Sequence, residues 1–315
     1  MPSLPQTAGA DPAAAAAAAR PPRRKELSNL QFALVVTVPV LLFLLVVVAY
    51  PLGYALYLSF HEIRFFGGYS AEFVGLANYK AALADPKFWR SLGLSLRFTV
   101  ETVVLTIGIG LALALVLRDL KPRWRWLRAM IILPWAVSPY GAGIFFAYFG
   151  RGQTGIGTAL ISAFGFDGTL NLITQAAVIE YLALGAAWNM APLVAFFLLA
   201  NMLTTPKRLY DLAKIDRMRS YETFWHVTLP PLRFTLFVFT CISTVLALKT
   251  FDYIFTETQG GPGNSSTVLT YLLYQISFVN LDLGYGAAMS FFLLALILGT
   301  TGLIYALWGR REERK

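Results

Sequence analysis

The chain has 315 residues, of which 57% are hydrophobic and 14% charged, with a mean hydropathy of +0.60 and a formal net charge of +9. A water-soluble domain carries about a quarter charged residues, so this composition argues against a soluble enzyme and for a polytopic membrane protein. The single cysteine, Cys241, excludes an internal disulfide and any cysteine-built zinc or iron–sulfur site; within its apolar run it reads as a small buried filler.

Residues 1–28 are rich in Ala, Pro, Ser and Gly and read as a disordered tail. The apolar run that follows is longer than the core of a secretion signal and has no small-x-small cleavage site, so it reads as a first membrane span. A crossing helix needs roughly 20 mostly apolar residues. Six runs meet that requirement, at 32–50, 99–117, 129–150, 181–205, 234–251 and 283–309, the third read as one uninterrupted crossing. The expectation is an all-α integral membrane protein, with a six-helix domain over 29–309 and a short tail at 310–315.

The basic residues set the expected orientation. Arg20, Arg23, Arg24 and Lys25 precede the first span, and Arg118, Lys121, Arg123, Arg125 and Arg128 follow the second. Lys207, Arg208, Lys214, Arg217, Arg219 and Arg233 lie between the fourth and fifth, and Arg310, Arg311, Arg314 and Lys315 close the chain. Nineteen of the 26 lysines and arginines thus share one side, which by the positive-inside rule puts both termini in the cytoplasm. The positive charge belongs to membrane-flanking loops and implies no nucleic acid. The middle of each span carries no ionisable group, so a proton-driven carrier has little support; Glu101, Glu180 and Lys249 near the span ends read as interfacial anchors.

Catalytic signatures are missing. His61 and His226 belong to no metal-ligand set, no Gly-x-Ser-x-Gly elbow occurs, and no Walker-type phosphate loop is present. The glycine-rich stretch from Arg151 to Gly157 follows a membrane span, not a strand, and reads as a loop. No catalytic residue, metal site or cofactor is expected in this chain, and any ATP and Mg would be bound by a partner.

The connector at 206–231 is the most informative segment. Pro206 suits a helix start, Leu209, Leu212, Ala213 and Ile215 form a short amphipathic pattern, and Phe224, Trp225, Val227 and Leu229 form another. Ser220 with Thr223 could start the second piece, and Pro230-Pro231 is expected to punctuate the chain before the fifth span. This segment resembles the signature loop of permeases from binding-protein-dependent ABC importers. Asp211, Leu212 and Ala213 stand at its Glu-Ala-Ala positions, Ile215 and Asp216 match its Ile-Asp, and Phe224 with Val227-Thr-Leu229-Pro230 match its end. Arg217 and Met218 replace the family's Gly-Ala, and an arginine resists the positive φ that a sharp bend there requires.

Three further stretches resemble the sugar-importer branch of that family: Tyr50 to Phe60, Phe73 to Tyr79 with Asp85 to Trp89, and Phe251-Asp252 through Gly260-Gly-Pro262 to Ala288. The resemblance covers roughly 30–310. It implies a type I ABC importer permease architecture in the bacterial cytoplasmic (inner) membrane, a second homologous permease as heterodimer partner, two ATPase subunits and an extracytoplasmic solute-binding protein. It makes 206–231 the ATPase-coupling loop, with Asp211, Leu212, Ala213, Ile215, Asp216, Arg217, Phe224, Leu229 and Pro230 at the interface. The implied cargo is a carbohydrate, with glycerol-phosphate or another polyol as the alternative and a secondary carrier or channel as the reading from a different class.

For the solute path, Ser243, Leu246, Ala247 and Thr250 share a helix face by their spacing of three and four. Trp188 and Asn189 precede Pro192, which is expected to open the fourth span locally. The resemblance places these six residues in the sugar-contacting stretches of maltose-type permeases; helix–helix packing by small and hydroxyl residues is the competing role.

Overall fold

The computed structural model describes residues 28–309 except 65–67, 69, 125 and 167. The expected tails at 1–28 and 310–315 lie outside the described residues, save Ser28. By its internal packing the chain divides into two units, Met1–Tyr54 and Ala55–Lys315. The described part of the first is helical: α1 (Leu30–Ser59) starts at Ser28, whose Oγ accepts from the Gln31 amide while the Gln31 side chain accepts from the Ser28 amide. Its apolar side chains from Leu30 to Tyr54 are exposed.

In the second unit a two-stranded antiparallel sheet, β1 (His61–Arg64) with β2 (Ser70–Phe73), pairs His61 with Phe73 and Arg64 with Ser70. Then come α2 (Ala77–Ala84) and the long α3 (Pro86–Arg118). Asp85 caps α3 by accepting from the Lys87 amide at 2.8 Å, and Pro86 fills the first-turn position, where a missing N–H costs nothing. At the other end Arg128 donates to the Leu117 carbonyl at 2.8 Å, satisfying one of the acceptors a helix end leaves open.

The third apolar run is not one uninterrupted helix. It forms α4 (Trp126–Ala136) and α5 (Pro139–Phe149), bent by 93°. The reason is local. Pro139 has no N–H to continue the ladder, Val137 is extended, and the Ser138 side chain opens a new helix by accepting from the Gly141 amide. After α6 (Ile156–Ala163), α7 (Val178–Thr204) passes through Pro192 as one helix, without the expected opening. α8 (Lys207–Ile215) leads to α9 (Ser220–Leu248), which begins well before the expected fifth span. Pro230-Pro231 do not stop it. The turn just before them, Phe224–Thr228, is wide and π-like, a geometry that accommodates missing donors. A shorter apolar helix, α10 (Leu269–Val279), went unforeseen, and α11 (Leu283–Trp308) closes the set. Among the described residues five helices are long and apolar enough to cross a membrane, and the count reaches six if the bent pair α4–α5 forms one broken span.

α3 and α7 pack along most of their lengths and form the spine. Gly110 permits it: a Cβ there would lie 2.8 Å from Val194 Cγ1 and 3.1 Å from the Ala191 carbonyl. Around that contact Leu117, Val194, Leu198 and Leu232 are fully buried. A second core gathers Phe98, Val178, Leu182 and Ile254, and a third holds Phe88, Leu269 and Met289. Cys241 is half-buried, more open than expected. Glu101 and Glu180, expected to be interfacial anchors, both pair with Arg97.

Candidate functional site: a hydroxyl-lined cavity and an exposed connector

Where α3, α7 and α9 face one another beside the start of α5, they enclose a cavity of about 260 Å³. Thr102 and Thr106 come from α3, Asn189 and Met190 from α7, and Ser243, Leu246 and Ala247 from α9. Pro139, Ala186, Lys249, Thr250, Asp252 and Tyr253 complete it. Five of the six expected path residues therefore converge here. Trp188 does not: its ring packs on Phe145 and Phe146, with centroids 6.1 and 5.6 Å away.

The hydrogen bonds separate the polar lining residues by role. Asn189 Nδ2 donates to the Pro134 and Val137 carbonyls at 2.6 and 2.9 Å. Both acceptors belong to the break between α4 and α5, so the amide of Asn189 pins the bend. Thr250 Oγ1 donates back to the Leu246 carbonyl at 2.7 Å, as helical threonines commonly do. Thr102, Thr106 and Ser243 behave differently. Their hydroxyl oxygens are buried and have no hydrogen-bond partner among the described residues. A buried, unpaired hydroxyl costs free energy, so three around one cavity call for an account. At the wall, exposed Lys249 and Asp252 bring one charge of each sign, and neither joins an ion pair among the described residues.

Thr102 and Thr106 were not singled out from the sequence. Their signal was present: Ser95, Thr99, Thr102 and Thr106 recur at spacings of four, three and four, which marks a polar stripe along one face of α3, and all four are buried.

The connector forms two helical pieces, α8 and the first turns of α9. Ala213 is buried, whereas Asp211, Leu212, Ile215, Asp216 and Arg217 are exposed. Ile215 is 75% exposed, an open apolar side chain beside two acids. Phe224 and Leu229 are half-buried and Pro230 is exposed. The bend after α8 is present despite the arginine. Arg217 adopts φ +53°, and the Met218 amide donates to the Ala213 carbonyl at 2.9 Å in a Schellman-type stop. Tyr210 anchors α8 to the rest: the Arg118 guanidinium lies 5.5 Å from its ring centroid, and its hydroxyl reaches Thr228 Oγ1 at 3.4 Å. A cleft of about 330 Å³ opens beside it, lined by Thr204, Pro206, Leu209, His226 and Pro230 among others.

The family model described as binding-protein-dependent transport system inner membrane component matches residues 105–312. The sulfoquinovosyl glycerol transport system permease protein SmoG of Agrobacterium fabrum is 31% identical over 279 residues, covering 88% of this chain and 90% of that one. The trehalose/maltose transport system permease protein MalF of Thermococcus litoralis is 30% identical over 274 residues, 86% and 91% of the two chains. The sn-glycerol-3-phosphate transport system permease protein UgpA of Agrobacterium fabrum is 32% identical over 253 residues, 80% and 86%. Among solved structures, a bacterial ABC transporter involved in alginate import superposes with a TM-score of 0.75 at 17% identity, covering 89% of this chain and 95% of that one; this is a likeness of fold.

Proposed function

Because the chain belongs to the inner membrane components of binding-protein-dependent transport systems, and is an ABC importer permease, we propose that its cavity passes a neutral carbohydrate delivered by an extracytoplasmic binding protein. The observation that carries this reading is the trio of unpartnered hydroxyls at Thr102, Thr106 and Ser243. A sugar supplies both donors and acceptors at close spacing, and an apolar wall with a few placed polar groups is the usual form of a small-molecule site. Lys249 and Asp252 together leave the wall without a one-signed field, which favours a neutral solute over glycerol phosphate.

Two ATPase subunits and a second, homologous permease complete the proposed assembly, with ATP and Mg held by the ATPases. α8 and the start of α9 form the docking element, with Asp211, Asp216 and Ile215 as its exposed contacts. In that arrangement the α8 side and both termini face the cytoplasm, as the lysine and arginine distribution favours, and the turn after α9 faces outward. ATP-driven closure of the ATPases would move α8, and the cavity would change the side on which it opens.

The test is ATP hydrolysis and uptake by the complete importer in proteoliposomes, with its binding protein loaded with neutral di- or oligosaccharides or with sn-glycerol 3-phosphate. Stimulation by a neutral sugar is expected. Stimulation by the phosphate ester alone, or accumulation without an ATPase, would overturn the reading.

A further inference from the structure

Beyond α9 the chain makes the turn Ile254–Thr258, which packs against α5. The fit is close: a Cβ on Gly143 of α5 would collide with Thr256 Oγ1. Within this turn Glu257 is 5% exposed, and neither of its carboxylate oxygens has a hydrogen-bond partner among the described residues. A carboxylate that loses water and gains no donor is strongly disfavoured as an ion, so the group resides as the neutral acid.

Its neighbours offer no compensation. The titratable side chains coupled to it are Tyr181 on α7 and Tyr253 one turn earlier, and neither carries positive charge. The Tyr181 hydroxyl is already committed, donating to the Phe146 carbonyl at 2.9 Å. Tyr140 and Tyr148, the titratable groups of α5, are exposed. Asp252, the other acid on this stretch, is also exposed. Burial away from water pushes the pKa of Glu257 up to about 8.

The position gives this consequences. Tyr253 and Pro139, the residues through which the turn and α5 reach the cavity, both line it. Anything that lifts the turn from α5 therefore parts the cavity wall between them. We propose that Glu257 is a proton-dependent latch: with its carboxyl protonated the turn stays seated on α5, and release of that proton to water lifts the turn and opens the cavity on that side. The regulatory meaning rests on reading the cavity as the solute chamber; the latch itself does not.

Linkage fixes the sign. Seated, the carboxyl titrates near 8; lifted into water, it returns to the ordinary carboxylate range near 4.5. The ratio of lifted to seated turns therefore rises tenfold per pH unit between those values and levels off above about pH 8, on the order of a thousandfold in all.

The complete importer in nanodiscs tests this in two ways. Infrared titration should show a protonated-carboxyl carbonyl band persisting at neutral pH in the wild type and lost in Glu257→Gln. Hydrogen–deuterium exchange of Ile254–Thr258 and Pro139–Phe149, corrected for intrinsic base catalysis, should rise with pH up to about 8 in the wild type. It should stay flat in Glu257→Gln, with Glu257→Met as the neutral alternative should Gln fail to assemble. A band unchanged by Glu257→Gln, or exchange that rises equally in the neutral variants, would overturn the latch. Transport that fails on the predicted sugars while both signatures appear would instead refute the solute reading alone.

Discussion

Arg217→Gly should tighten the connector. Arg217 holds φ +53°, in the left-handed region, at the position after the last residues of α8. An L-residue pays about 1–2 kcal/mol there, while glycine pays nothing sterically but loses more freedom on folding, roughly 0.5–1 kcal/mol. The side chain is exposed and joins no ion pair among the described residues, so its removal forfeits no contact of consequence. The net gain is about 1 kcal/mol, roughly a fivefold lower opening constant for the stop at the end of α8. Arg217→Ala is the control, since it removes the charge and keeps the strain. The assay is amide exchange over 216–218, where the Met218 N–H bonded to the Ala213 carbonyl reports the motif directly. Slower exchange in the glycine variant than in the alanine variant is expected. Equal exchange in the two, or faster exchange with glycine, would show that the bend is held by something other than this backbone choice.

The cavity hydroxyls should separate stability from transport. Thr106→Val and Ser243→Ala remove groups with no partner, so thermal stability in detergent should hold or rise, while apparent solute affinity in uptake assays weakens about fivefold per lost hydrogen bond of roughly 1 kcal/mol. Asn189→Ala should do the reverse: it strips the donor from two carbonyls at the α4–α5 break, costing about 1–3 kcal/mol of stability. Changed solute affinity in that variant at unchanged stability would return Asn189 to the substrate path. Charge reversal at Asp211 or Asp216, both exposed, should leave the protein in the membrane and uncouple ATP hydrolysis from uptake, and normal uptake in reconstituted vesicles would remove the acids from the coupling surface.

The five helices of crossing length were legible because a run of about 20 apolar residues has few other uses. The break at Val137–Ser138 was not. Ser138-Pro139 carries the cap and first-turn signals of a new helix, but prolines are tolerated inside membrane helices, and the uncharged run around them let the segment pass as one helix. α10, at eleven residues, falls in the length range where an apolar segment can be a buried helix or a re-entrant piece. On α9, spacing alone brought Ser243, Leu246 and Ala247 to one face, and all three line the cavity. Which hydroxyls stay free was beyond reach, because Thr250 bonds its own helix and Ser243 does not, a choice of side-chain rotamer and not of residue type. Glu257 was equally hidden: between two spans an acid reads as solvated, and only the packing of its turn on α5 buries it.

The failure of Pro230-Pro231 to end a helix bears on how force could travel. Had they broken the chain, the connector and the fifth crossing would be separate bodies joined by a hinge. Instead α9 runs unbroken from Ser220 to Leu248, 29 residues and so about 43 Å at 1.5 Å per residue. One end carries Phe224 and Leu229 of the connector; the other carries Ser243 and Ala247 of the cavity and leads within a turn to Tyr253. A continuous helix transmits displacement along its axis with little loss, whereas a hinge would absorb it. The one soft place is the wide turn Phe224–Thr228, and it lies at the connector end. Motion imposed on α8 would therefore be accommodated there in direction and passed on in magnitude. That arrangement makes the cavity wall, and the Glu257 turn beyond it, the far end of the same lever.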